Sequence, residues 1–170
     1  MTRNKIIAIG ICVILTLAVI QVGIAFTSYS TAEEAVKYAI IDSQKYKQLV
    51  QIIDNGQLKY ALFITEKNKV AAVSLNKTLF GWRLGSLSGI FDMYSIPKNS
   101  GLTGWAKHET LLYGIINDNR IDSVLVNGNS AKVIKLENNL KLWYTIEPNH
   151  GPYDLLGIDR DKNVIHKIKM

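Results

Sequence analysis

From Ile6 to Phe26 the chain reads IIAIGICVILTLAVIQVGIAF, twenty-one residues without a charged side chain. A helix rises about 1.5 Å per residue, so this run extends about 30 Å, the thickness of a bilayer's hydrocarbon core. Gln21 is its one strongly polar residue, and Gly10 and Gly23 are of a kind that membrane helices tolerate. Arg3 and Lys5 precede the run, whereas Glu33, Glu34 and Asp42 outnumber Lys37 after it. Basic flanks stay on the cytoplasmic side. The expectation is therefore a cytoplasmic start over 1–5, a transmembrane anchor over 6–26 and an exported domain over 27–170, with the C-terminal part outside. A secretory signal is the competing reading. Signal cores run to about 7–15 residues, shorter than this one, yet Gly23 and Ala25 place small side chains where a signal peptidase cuts, so secretion after cleavage near Ala25 is the alternative.

The sole cysteine, Cys12, lies inside the apolar run. Ile11 stands before it where a lipoprotein signal has a small residue, so Cys12 reads as one more apolar helix residue. The exported part then has no disulfide and depends on packing. Its length suits one compact domain. The whole chain carries a formal +6; without Arg3 and Lys5 the exported part carries +4, from eighteen basic and fourteen acidic residues. A mildly basic surface matches the outer face of an anionic membrane or acidic wall polymers. The absence of a dense basic cluster and the expected location exclude nucleic acid as a partner.

STAEEAVKYAI, from Ser30, has a helix start: Ser30 or Thr31 can cap, and Glu33 or Glu34 stands three residues on. Ala32, Ala35, Val36, Ala39 and Ile40 share one face of the resulting amphipathic helix. The period then changes. Asn55-Gly56 is a two-residue hairpin signal, and folding about it sets Leu49 opposite Leu62, Gln51 opposite Tyr60 and Ile53 opposite Leu58. VAAVSL and TLFGWRL follow, divided by a turn at Asn76-Lys77. Over 85–110 no period is sustained, which reads as an irregular divider between two β halves, 45–84 and 111–170. In the second half LLYGIIND, RIDSVLVNG, SAKVIKLEN, LKLWYTIE, DLLGIDRD and NVIHKIKM are short strands with turns at Asn117 to Asn119, Asn127-Gly128, Asn138-Asn139, Pro148 to Pro152 and Asp161 to Asn163. The fold class expected is mainly β with one leading amphipathic helix, an antiparallel meander or sandwich behind a single N-terminal transmembrane helix.

Motifs for catalysis fall short. HETLL at His108 opens like a zinc-protease helix, but Leu112 stands where the second histidine is required. His108, His150 and His166 are far apart in sequence. DRDKNV from Asp159 spaces oxygen ligands as a calcium loop does, yet Val164 replaces the turn glycine and the chain ends at Met170 where the bidentate glutamate belongs; a β-turn accounts for the same residues. Ser74 to Lys77 and Ser95 to Lys98 are Ser-x-x-Lys, without the companion elements of penicillin-recognising enzymes. No metal or cofactor is expected, and no catalytic residue is assigned. Were the chain a small envelope hydrolase, Glu109, Asp92 and His108 would be the acid and base groups to find together.

Aromatic residues offer a different use. LFGWRLGSLSGIF, Leu79 to Phe91, sets Trp82, Arg83 and Phe91 among glycines, and large aromatics with arginine dominate binding hot spots. Trp105 lies farther on, and alternation along LKLWYTI puts one of Trp143 and Tyr144 inside and the other outside. These six residues are the candidate partner contacts, alongside the reading that Trp82 fills the core of the first sheet.

The short basic start, the apolar span, AEEAV, GWRL and LLGIDRDKNVI together resemble the small N-terminally anchored exported proteins of Bacillus-type bacteria. That resemblance implies a Gram-positive cell envelope and assigns no activity. The EEA helix and the closing D-x-D-x-N-V-I are also similar to pieces of PepSY-like domains, which implies regulation of an exported peptidase; Lys162-Asn163 replaces that family's closing Thr-Gly, and the intervening hairpins exceed one such module. The function expected is a non-enzymatic, membrane-tethered extracytoplasmic domain that binds an envelope protein or an anionic polymer.

Overall fold

A computed structural model describes residues 3–38, 45–56, 58–93, 95–97, 100–148 and 151–169, with side chains from Ile9 onward except at 26, 88–90, 104 and 138. The structure is mainly antiparallel β behind an N-terminal helical part. Helices α1 (Arg3–Phe26) and α2 (Ala32–Tyr38) precede β1 (Tyr46–Asp54), β2 (Lys59–Thr65), β3 (Lys69–Thr78), β4 (Gly81–Asp92), β5 (Gly101–His108), β6 (Leu111–Asn117), β7 (Ser123–Val126), β8 (Asn129–Ser130), β9 (Lys132–Lys135), β10 (Lys141–Ile146), β11 (Asp154–Ile158) and β12 (Val164–Lys169). Among the described residues no helix is long and apolar enough to cross a membrane.

The strands make three four-stranded sheets, ordered β1-β2-β3-β4, β5-β6-β10-β9 and β12-β11-β7-β8. Continuous apolar runs explain how they stack, because a strand buried on one face alternates, whereas one buried on both does not. In β6, LLYGIIN, Leu111, Tyr113 and Ile115 enter a core shared with Tyr60, Leu62, Val70 and Ala72 of the first sheet. Leu112 and Ile116, on the opposite face, join Val124, Val126 and Leu155 of the third sheet. The second sheet is thus the middle layer. The outer face of the first sheet, through Ala61, Phe63, Ala71, Val73 and Leu75, is covered by Ala32, Ala35 and Val36 of α2.

The start of α2 shows why its short sequence is helical. Thr31 Oγ1 accepts from the Glu34 amide at 3.1 Å, and Glu34 reaches back to the Thr31 amide at 3.3 Å, the reciprocal capping box. Of the alternatives in the sequence, Thr31 and Glu34 are the pair used. Ser30 Oγ also donates to Glu34. That bond, followed by the Thr31 amide, holds the Glu34 carboxyl below its ordinary value. Ala39 and Ile40, expected on the same helical face, lie outside the described residues.

Three expectations are corrected. The β1–β2 connection spans Asn55 to Leu58, closed by Asn55 N–H donating to the Leu58 carbonyl at 2.9 Å, so Asp54 pairs with Lys59, Ile53 with Tyr60 and Gln51 with Leu62. A slip of two keeps Ile53 and Tyr60 on the expected face, both in the core, but a bulge between Leu49 and Gln51 pairs Leu49 with Phe63 and turns it to the α2 side of the sheet, away from Leu62. The turn placed at Asn76-Lys77 is instead Leu79-Phe80, since β3 continues to Thr78 and Thr78 pairs with Gly81. The irregular divider over 85–110 is largely strand: β4 persists to Asp92 and β5 starts at Gly101. Glycines and serines there obscure a strand that pairs through its backbone with β3.

Candidate functional site

The corner of the first sheet where α1, the β3–β4 hairpin and the β1–β2 hairpin meet gathers aromatic and basic groups. Beyond α1 the chain runs as one extended residue along the edge strand β4: Tyr29 N–H donates to the Trp82 carbonyl at 2.8 Å and Trp82 N–H to the Tyr29 carbonyl at 2.7 Å. Gly81, φ 129°, makes that approach feasible, because a Cβ there would stand 2.2 Å from the Tyr29 carbonyl oxygen. Ser28 Oγ lies 3.2 Å from Thr78 Oγ1, and Thr78 Oγ1 also accepts from the Phe80 amide at 3.2 Å. One threonine thus joins the hairpin tip to the end of α1.

Trp82 is half-buried against the α2 side of the sheet. The Lys59 and Lys77 ammonium groups lie 5.1 Å and 5.8 Å from its ring centroid, each contact contributing about 0.5–1 kcal/mol at an exposed site. Asp54, Gly56, Leu58, Lys59, Lys77 and Trp82 line an open concavity of about 290 Å³. Lys59 also pairs with Asp54 at 2.9 Å, and its hydrogen bond, ahead of one from the Gly56 amide, holds the Asp54 carboxyl below its ordinary value. Tyr29 stacks on Tyr38 with centroids 6.2 Å apart, and Lys37 sits over the Tyr38 ring at 5.4 Å. At the tip, Leu79 is 92% and Phe80 48% exposed.

The six expected contact residues are not one surface. Alternation along β4 sends Arg83 to the face opposite Trp82, paired with Asn76. Phe91 packs on Tyr113, centroids 5.4 Å apart, against the core between the first two sheets. Trp143 is fully buried and Tyr144 nearly so, which corrects the expectation that one of them faces out. β10 lies between β6 and β9 in the middle layer, so its two faces enter different cores, Tyr144 one and Trp143 the other. Trp105 is 43% exposed. The register shift between Thr103 and Ala106 on β5 is a bulge, a device that turns a side chain out of the pleat. Trp105 is therefore the exposed aromatic candidate, while Trp82 and Phe91 are each half-buried, on different sides of the first sheet.

The acid and base groups of the middle segment assemble only in part. His108 is buried against Tyr60, edge to face at 5.8 Å. The Tyr60 hydroxyl bonds Glu109 and Thr110 at 3.0 Å each, and Asn55 donates to Thr110 Oγ1 at 3.1 Å. Burial lowers the His108 pKa from its ordinary value, opposed by the Glu109 charge and the Ser86 carbonyl. Asp92 lies six residues beyond Ser86 on β4, about 20 Å along the strand. These contacts fasten the β5–β6 turn to the β1–β2 hairpin. Ser74 and Lys77 stand three apart on β3 and so face opposite ways; Ser74 accepts from the Ser86 amide at 3.0 Å. Lys98, His150 and Met170 lie outside the described residues. Asp159 Oδ1 accepts from the Asn163 amide at 2.8 Å, closing the β11–β12 turn, and among the described residues no three His, Cys, Asp or Glu side chains converge as metal ligands.

Leu79, Phe80, Tyr29, Lys59 and Lys77 are the corner residues that sequence reasoning left out as contacts. Leu79-Phe80 lacked any turn signal, and Lys59 and Lys77 join Trp82 only through strand pairing. Comparison with family models, with curated proteins and with solved structures finds no match for this chain.

Proposed function

We propose that this chain is a non-enzymatic binding module tethered by α1 to the outer face of a Gram-positive cytoplasmic membrane, its Trp82 corner holding an anionic component of the envelope. The observation that carries the reading is the direct junction between α1 and that corner. Apolar side chains along α1, among them Ile14 at 67% and Val19 at 72% exposure, are exposed with respect to the described residues, as suits lipid contact. Three residues after α1 ends, Tyr29 is bonded to Trp82. The uncharged run from Ile6 to Phe26 and the basic residues before it give the direction of insertion.

The test uses the full chain with Cys12→Ser and a single Val164→Cys in intact cells. The expected result is retention in membranes after alkaline carbonate washing and labelling of Cys at 164 by a membrane-impermeant thiol reagent. Release by the wash, or labelling only after lysis, contradicts the tether. Turnover of an envelope substrate abolished by one point substitution contradicts the non-enzymatic reading.

A further inference from the structure

We infer that the Leu79–Phe80 tip and the aromatic belt beside it form a second membrane contact, docking the β domain on the headgroup layer of the bilayer that α1 spans; this rests on the tether reading above and names lipid as the partner of the corner. The first ground is position. Ser28, two residues beyond the end of α1, is hydrogen-bonded to Thr78, and Leu79 follows Thr78. Two residues of chain reach at most about 7 Å, comparable with the headgroup layer, about 5–7 Å on each side of the hydrocarbon core. A tip fastened so close to the helix end lies at the depth of the headgroups when α1 spans.

The second ground is composition. The positive φ of this turn falls on Gly81, so the backbone asks for no particular side chain at 79 and 80, and the two residues there are nevertheless large and apolar. Leu79, at 92% exposure, contributes nothing to the core. Beside it Trp82, Tyr29 and Tyr38 form a contiguous aromatic group, the residue types concentrated where bilayer meets water. Lys59, Lys77 and Lys37 stand over those rings, with long apolar stems and cationic heads suited to anionic headgroups. Asp54, paired to Lys59, is the acidic group in that concavity. An exposed apolar tip, aromatic rings and ammonium groups thus lie together at one corner, the combination of groups that an interface attracts.

The experiment uses the full chain with Cys12→Ser, reconstituted in phosphatidylglycerol-containing vesicles, with single cysteines replacing Leu79, Phe80, Ile14 or Val164 and carrying an environment-sensitive fluorophore. The expected result is a blue-shifted emission, quenched by brominated lipid, at 79 and 80 as at 14, with neither change at 164. Labels at 79 and 80 that behave like 164 while 14 is quenched overturn the inference and leave the tether standing. An unquenched label at 14 overturns the tether and the inference with it. A dye can also enter lipid on its own account, so the Phe80→Cys chain is compared with and without Leu79→Asp: weaker quenching with aspartate supports docking by the tip itself, and equal quenching overturns it.

Discussion

Three of the hairpins in this fold close over two residues, and they differ in what their tips are for. Asn127-Gly128, between Val126 and Asn129, has φ of 50° and 82° and exposes nothing apolar. Glu109-Thr110 has Glu109 at φ 53° and is fastened by side chains to Tyr60 and Asn55. Leu79-Phe80 is closed locally by Thr78 Oγ1, which accepts from the Phe80 amide, and by Gly81 at positive φ, and it is also held through Thr78 and Gly81 by the chain leaving α1; Leu79 is exposed and Phe80 half-exposed. The first tip is specified by its residue types, the second by packing on a neighbouring hairpin, and the third carries a leucine that is almost wholly exposed.

The largest effect should separate the two glycines beside these tips. Gly81→Ala drives a Cβ into the Tyr29 carbonyl at a φ of 129° and should cost about 3 kcal/mol, releasing Tyr29 from Trp82. Gly128→Ala meets nothing within 4 Å and should cost about 1–2 kcal/mol of backbone strain alone. Equilibrium denaturation of the detergent-solubilised chain measures both, and equal losses would erase the distinction between the tips.

The Glu109-Thr110 tip should respond to acid. Burial keeps His108 from charging, so its folded pKa lies below the ordinary 6.5 and the unfolded chain takes up the proton first. The stability from neutral His108 is complete above pH 6.5 and falls as pH drops below it. The carboxylates of Asp54, Asp118 and Asp159, whose pKa values are lowered from the ordinary 3.8, lose their contributions in a separate window, as pH falls below the unfolded value. Denaturation midpoints against pH should show both windows in the natural chain and only the acidic one in His108→Phe. A slope near pH 6 that survives in the variant assigns it to another group.

Tyr60→Phe removes the hydroxyl shared by Glu109 and Thr110 and should cost about 1 kcal/mol, read from the same denaturation curves. The smallest effect is the most informative about the third tip. Replacing Leu79-Phe80 by Ser-Asp should change stability by no more than about 0.5 kcal/mol, as surface substitutions do, while abolishing the proposed lipid contact. A large loss of stability would show that Leu79 or Phe80 serves the fold after all.

What could be read from the sequence was local. The capping box at Thr31 and Glu34, the turn at Asn127-Gly128 and the six β-like runs after Leu111 each depend on neighbours a few residues apart, and each appears in the structure. The hairpin at Asn55-Gly56 was legible as a hairpin but not in register, because its loop length is settled by the pairing of Asp54 with Lys59 across it. Of the site, Trp82 and Trp105 were legible by residue type. Lys59, Lys77 and Tyr29 were not, since nothing short-range links them to Trp82.

Alone, the sequence determined that a helical segment precedes a mainly β chain, because side-chain periodicity and turn chemistry act between near neighbours. Only tertiary structure decided which faces of those strands are buried. Trp143 and Tyr144 lie on opposite faces of one strand and both are inside, because β10 belongs to a middle layer packed on both sides. Stacking of sheets is a long-range choice: it is made by the total apolar area that three sheets and α2 remove from water together, which no single strand records. The same choice left Leu79 and Phe80 outside every core, beside the end of α1.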